Sequence, residues 1–173
     1  MLVDSDNRSP VSSEAEAAEA EDTYRLRVTD ALLSELVGIC DDSDFSMAVS
    51  VQTGGYLVSG VLISMVDYFR GLAGLVRGAG RSDAPPEALS AVAGLFDTRA
   101  DEQRARRDRR LAALRDESAP QDPEDRVRPA NLHLRHARLI GPTGEIATIP
   151  FWRARLDHID AFWLGSLSTG ENE

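Results

Sequence analysis

The chain contains no lysine, and all 19 of its basic residues are arginines. Arginine stays charged and binds carboxylates and phosphates through paired hydrogen bonds, so this composition suits acidic partners, although a GC-rich coding sequence would produce it too. Cysteine is limited to Cys40, which excludes an intrachain disulfide. Nothing in the cysteine content therefore points to an oxidising compartment.

Long apolar runs are missing as well. The longest, around Val61–Val66, is far short of the roughly 20 residues that a membrane-spanning helix requires. The N-terminus lacks the basic start and apolar stretch of a signal peptide. These absences predict a cytoplasmic protein that does not enter the membrane.

Sequence motifs for catalysis are also lacking. The chain has no nucleophile elbow, phosphate-binding loop, dinucleotide glycine fingerprint or HExxH sequence. His133 and His136 are three residues apart, which on a strand places them on opposite faces, so we expect no metal site. We therefore predict a protein that is not an enzyme and needs no cofactor.

Acidic residues dominate what is present. The net charge is −10 over 173 residues, which disfavours nucleic acid and anionic membranes as partners. Residues 1–22 hold seven acids against Arg8 and few large apolar side chains. Such a segment buries too little surface to offset its ordering entropy, so we predict a disordered acidic tail. It serves either to solubilise the chain or as an arm that tunes self-association.

Hydrophobic periodicity changes along the chain. Apolar residues at helical spacing predict helices over 29–39, with Gly38 near its end, over 65–77, and from Pro86 onward. Alternation predicts a hairpin of strands 45–52 and 56–64 around Gly54 and Gly55, with a bend at Gly60. Further strands are predicted over 130–135, 146–150, 151–156 and 159–167, with a bend at Gly165.

These elements predict an α+β protein. Its core would be a small, strongly bent antiparallel β-barrel of Sm-like or SH3-like plan with an N-terminal helix. We expect one domain over 23–167, a helical insertion over about 65–118, a linker over 119–129 and a polar tail over 168–173.

The second half of the insertion is rich in arginine. Arg99 to Glu117 holds seven arginines and five acids, a smaller positive excess than a nucleic-acid-binding helix usually carries. It is either a solvated helix face or an interaction helix for an acidic partner, the protein's own tail included.

One candidate contact patch lies near the C-terminus. Phe151, Arg153 and Arg155 alternate along a predicted strand and share a face, away from Trp152 and Leu156. An aromatic ring with two arginines suits an acidic protein partner.

Two sequence blocks together resemble the gas-vesicle accessory protein U family. The paired features are Ser59-Gly60 in the first block and Trp152-Arg153 in the second. Ala154 and Ala161 stand where the family tends to have glycine. The blocks comprise 44–46, 58–64 and 67–69, then 132–137, 151–156 and 159–165.

The resemblance implies a non-shell accessory protein of gas vesicles, linked to their clustering or assembly. Its expected partners are the vesicle shell or other accessory proteins, with self-association as a further expectation. The alternative is an Sm-like nucleic-acid binder in which Tyr56, Trp152 and Trp163 stack on bases, which the barrel plan favours and the net charge opposes.

Overall fold

The computed structural model describes residues 30–79, 85–115 and 128–167. Within them, three helices and five strands follow one another along the chain, with a short 3-10 helix before the last strand. In chain order they are α1 (Ala31–Asp42), β1 (Met47–Thr53), β2 (Tyr56–Leu62), α2 (Met65–Arg77), α3 (Pro86–Arg115), β3 (Asn131–Gly141), β4 (Gly144–Arg155), the 3-10 helix (Leu156–His158) and β5 (Ala161–Leu164).

Three of the predicted segments lie outside this description. The acidic tail over 1–22 and the polar tail over 168–173 fall there entirely, and the linker over 119–129 falls there except for its last two residues. Helices α2 and α3 lie within the predicted insertion over about 65–118, and α2 has the predicted bounds.

Helix α1 begins and ends by side-chain capping. The Asp30 carboxylate accepts a hydrogen bond from the Leu33 amide at 3.1 Å, which fixes the first turn. At the other end Ser43 is extended and its hydroxyl donates to the Ile39 carbonyl at 2.6 Å. The helix predicted over 29–39 extends three residues further than expected, so Gly38 lies inside α1 and does not help to end it.

The five strands form one antiparallel sheet in the order β4-β3-β2-β1-β5. The predicted hairpin is confirmed, since β1 and β2 pair from Met47–Leu62 to Thr53–Tyr56 around two glycines with positive φ. Closure into a barrel is not confirmed. Among the described residues β4 pairs only with β3 and the four-residue β5 only with β1, so the sheet is open with these two strands as its edges.

Strands β3 and β4 are longer than their sequence pattern predicts, whereas β5, predicted over 159–167, is confined to Ala161–Leu164. The two segments predicted over 146–150 and 151–156 form the single strand β4, because its partner β3 runs through without a break. His136 in β3 has a φ of 51°, and the β2–β3 register shifts opposite it. A Cβ on Gly60 would lie 3.0 Å from the Arg135 carbonyl oxygen. This close approach of the β3 backbone favours glycine at the bend predicted for position 60.

The sheet has helices on both faces. On one face α1 packs through Leu33, Val37 and Cys40 against buried strand residues such as Val51 and Leu134. On the other face α2 contacts β3 and β4, and α3 packs along α2. The hydrophobic core lies between α1 and the sheet.

A hydrogen-bonded clamp crosses the sheet face opposite α1. The Ser50 hydroxyl donates to the Gly165 carbonyl at 2.9 Å and lies 2.9 Å from the Ser59 hydroxyl. Since Ser50 has one proton, Ser59 supplies the proton between the two hydroxyls. The Leu167 amide donates to Ser59 at 3.0 Å. The bend predicted at Gly165 is confirmed by its φ of 105°, and it turns the chain back across β1 and β2.

No helix among the residues that the structure describes is both long and apolar enough to cross a membrane.

Candidate functional site

The predicted contact patch lies on β4, an edge strand. Phe151, Arg153 and Arg155 alternate with Trp152 and face away from the core, into which Trp152 packs. Their surroundings differ. Phe151 is half-buried, Arg153 is exposed, and Arg155 is exposed but forms an ion pair within the chain.

Phe151 and Arg155 each contact this chain's own side chains. The Phe151 ring meets Tyr68 of α2 edge to face at 6.1 Å and lies directly over Gly71, where a Cβ would collide with it. Arg155 binds the carboxylate of Asp157, and its Nε–O distance is 2.9 Å. That ion pair lowers the pKa of Asp157 and raises that of Arg155. Arg153 is thus the member of the patch most available to a partner.

A buried histidine lies beneath the patch. His133 is fully buried, and its ring lies 4.6 Å from that of Tyr68. Neither ring nitrogen has a hydrogen-bond partner among the described residues. Burial, together with the positive charge of Arg153, lowers the pKa of His133 to about 3. The imidazole is therefore neutral at physiological pH.

The two closely spaced histidines are not brought together. His133 is buried under α2, whereas His136 is exposed at the bulge. Within the described ranges no group of three or more His, Cys, Asp or Glu residues could hold a metal ion.

The aromatic residues considered for base stacking do not share one surface. Trp152 packs against the core, while Trp163 follows the core-packed Phe162 and so points to the opposite face of β5. Tyr56 is exposed beside the β1–β2 turn.

Six charged residues surround a cavity of about 350 Å³. It lies between the C-terminal end of α1, the start of α2, the second half of α3 and the chain entering β3. Four arginines and two aspartates line it, an excess of two positive charges. They are Arg106, Arg107, Arg110, Arg128, Asp41 and Asp42.

Two of these arginines form ion pairs with aspartates of α1 and of the residues that follow it. Arg107 contacts Asp44 at 3.3 Å, and Arg110 forms an ion pair with Asp42. The Nε atoms of both arginines are nevertheless buried with no hydrogen-bond acceptor among the described residues. Guanidinium groups bind carboxylates and phosphates in a planar, two-point geometry, so this wall of the cavity suits an anion.

Asp41 lines the cavity and also binds the backbone at the start of α2. Its carboxylate accepts a hydrogen bond from the Met65 amide at 2.7 Å and so caps the start of α2. Burial raises the pKa of Asp41 to about 6, although the Met65 hydrogen bond and Arg110 act in the opposite direction. Burial is the larger effect, so this carboxylate becomes protonated under mildly acidic conditions.

Sequence reasoning identified the arginine-rich helix but missed this cavity. A signal was present, because Gln103, Arg106, Arg107 and Arg110 recur at the three- and four-residue spacing of one helix face. That spacing does not reveal that the face meets the C-terminal end of α1, more than 60 residues away in sequence.

The fold and its sites define a class of α+β protein with an open antiparallel sheet and charged surface contacts. Residues 30–167 match the family described as Gas vesicle protein GvpU-like. The chain therefore belongs to this family, as the resemblance of its two blocks predicted, and membership implies a gas-vesicle-associated protein. No match was found among curated proteins or among solved structures.

Proposed function

We propose that this protein is a non-enzymatic, cytoplasmic accessory component of gas vesicles that promotes their clustering or assembly through weak multivalent contacts. The observation that carries the proposal is the family match over 30–167, which covers most of the chain. The vesicle shell, other accessory proteins and further copies of this chain are its proposed partners.

The charge distribution supports a multivalent mode of contact. The chain has a net charge of −10, yet seven of its 19 arginines lie on α3, and β4 adds two that alternate along an edge strand. An exposed ion pair contributes about 0–1 kcal/mol and is screened by salt. A single pair cannot hold two particles together, so clustering would require many such contacts acting at once.

The test uses purified gas vesicles stripped of accessory proteins. We expect added protein to raise turbidity and produce clusters visible by microscopy at low salt, and we expect these clusters to disperse as salt increases. No effect on vesicle association at any ionic strength would overturn the clustering role.

The β4 patch can be tested in the same assay. Arg153→Glu reverses the charge of the member most available to a partner, and we expect it to raise the protein concentration needed for clustering about threefold or more. Arg104→Glu is the matched control, since it makes the same charge change at an exposed position of α3. Equal effects of the two variants would show that the patch contributes no more than an exposed arginine of α3.

A further inference from the structure

We infer that the arginine-lined cavity is the docking site for this chain's own acidic N-terminal segment, residues 4–22. The contact deepens the proposed function, on which its biological meaning rests, because it would decide how much of the segment is available to vesicles or other copies. In this contact the cavity is the receptor and the acidic segment is the ligand.

The acidic segment and the cavity carry charges of opposite sign. Seven carboxylates lie in residues 1–22 against Arg8, so this short stretch carries more than half of the net charge of −10. Lining the cavity are four arginines and only two aspartates. Part of this positive charge is used within the chain, because Arg110 pairs with Asp42, Arg107 contacts Asp44, and Arg106 also has a contact of its own. Carboxylate side chains are the planar acceptors that guanidinium groups bind best.

Two guanidinium groups of the cavity wall contain hydrogen-bond donors that have no acceptor among the described residues. The Nε atoms of Arg107 and Arg110 are buried, and they find no acceptor among the residues the structure describes. A buried donor without an acceptor costs about 1–3 kcal/mol. A carboxylate entering the cavity would reach these Nε atoms only if the partly exposed Arg107 and Arg110 side chains turned toward it, whereas an apolar side chain would offer no acceptor at all.

The chain between the acidic segment and α1 is long enough to bring the segment to the cavity of its own molecule. The acidic segment joins α1 through residues 23–30, and the cavity lies at the far end of the 12-residue helix. A 12-residue helix spans about 18 Å, and eight extended residues span up to about 26 Å. The segment can therefore reach the cavity of its own molecule, at an effective concentration on the order of millimolar. That favours its own cavity over the cavity of a second copy in dilute solution.

The experiment measures binding of a fluorescent peptide with the sequence of residues 1–22 by anisotropy. The receptor is the full chain in which the seven acids of this segment are replaced by Asn or Gln, which leaves the cavity open. We expect the peptide to bind this neutral-arm chain at low salt and to lose about tenfold or more in affinity when salt is raised to about 0.2 M. We expect unmodified protein to bind it at least about tenfold more weakly, because its own segment competes.

A matched pair of variants in the neutral-arm chain tests the site. Arg107→Gln with Arg128→Gln removes two charges from the cavity, and we expect a loss of about tenfold or more in peptide affinity. Arg104→Gln with Arg109→Gln removes two charges from exposed positions of the same helix outside the cavity, and we expect less than a twofold change. Thermal melts of all four chains establish that each is folded.

Three results would overturn the inference. They are no peptide binding to the neutral-arm chain at low salt, equal losses in the two variant pairs, and equal affinity for the neutral-arm and unmodified chains. Sedimentation adds a fourth, because a dimer that dissociates when the acids are neutralised would place the segment in the cavity of a second copy. The assay contains no vesicles, so its failure is separate from failure of the clustering proposal.

Discussion

The two halves of α3 differ in whether apolar packing accompanies their ion pairs. In the first half Ala93 and Ala100 are fully buried and Phe96 stacks on Phe69 of α2 with ring centroids 6.3 Å apart, while Asp97 adds an exposed ion pair with Arg77. In the second half the helix is held to the C-terminal end of α1 and the residues after it by ion pairs, Arg110 with Asp42 and Arg107 with Asp44.

The two halves of this helix therefore differ in how much they contribute to stability and in how strongly their contacts depend on salt. Close packing of small apolar residues is insensitive to salt, and even a small change in side-chain size or charge there is costly. Ion pairs at the surface contribute little to stability and weaken with salt. We conclude that the first half fixes the helix on the domain, while the second half presents charge that solution conditions can modulate.

The largest expected effect comes from placing a charge in the packed half. Ala100→Asp buries a carboxylate with no partner, and we expect the free energy of unfolding to fall by at least about 3 kcal/mol. Urea denaturation followed by circular dichroism measures it. Ala105→Asp makes the same change at an exposed position and should stay within about 0.5 kcal/mol. A similar loss for both variants would contradict the division of the helix.

The next effect concerns pH, where His133 and Asp41 oppose each other. The folded-state pKa of His133 is lowered from 6.5 to about 3, so the unfolded chain takes up this proton first and the free energy of unfolding falls as pH drops through that window. The pKa of Asp41 is raised from 3.8 to about 6, so the folded chain takes up this proton first and acid stabilises it between those values.

Because the two windows overlap, we expect the stability of the unmodified protein to change little between pH 6 and 4. Asp41→Asn removes one of the opposing contributions, and we expect the free energy of unfolding to fall by up to about 1.4 kcal/mol per pH unit across that range. Urea midpoints at several pH values measure the slope, with Asp108→Asn as an exposed control. Identical slopes for unmodified protein and Asp41→Asn would contradict this assignment.

The smallest effect comes from breaking the charged contact itself. Arg110→Ala removes the partner of Asp42, and we expect a loss of about 1 kcal/mol at low salt that shrinks at high salt. Cys40 is buried in α1, and burial raises its pKa to about 11, so thiol labelling reports opening of this end of the domain. Labelling should be faster in Arg110→Ala than in the exposed control Arg104→Ala. A loss that is unaffected by salt would show that packing holds this half too.

Local structure was largely predictable from the sequence. The apolar spacing of Val66, Phe69 and Ala73 predicts α2 at its observed bounds, and glycines at positive φ mark the turn of the first hairpin. Both signals depend on neighbouring residues alone.

The long-range arrangement of these elements was not predictable from the sequence. Whether the edges β4 and β5 meet depends on the bend of the whole sheet, which alternating residues do not determine. The cavity escaped prediction for the same reason, because Arg110 and Asp42 are 68 residues apart in sequence. The partial burial of Phe151 likewise depends on the position of α2.

The serine clamp has a practical consequence for anyone who shortens or labels the chain. A polypeptide cut after Leu164 would lose both the Gly165 carbonyl and the Leu167 amide, so the buried Ser50 and Ser59 hydroxyls would keep only the hydrogen bond between them. Fluorescent proteins or affinity handles should therefore be joined beyond Leu167, the residue at which the family match also ends.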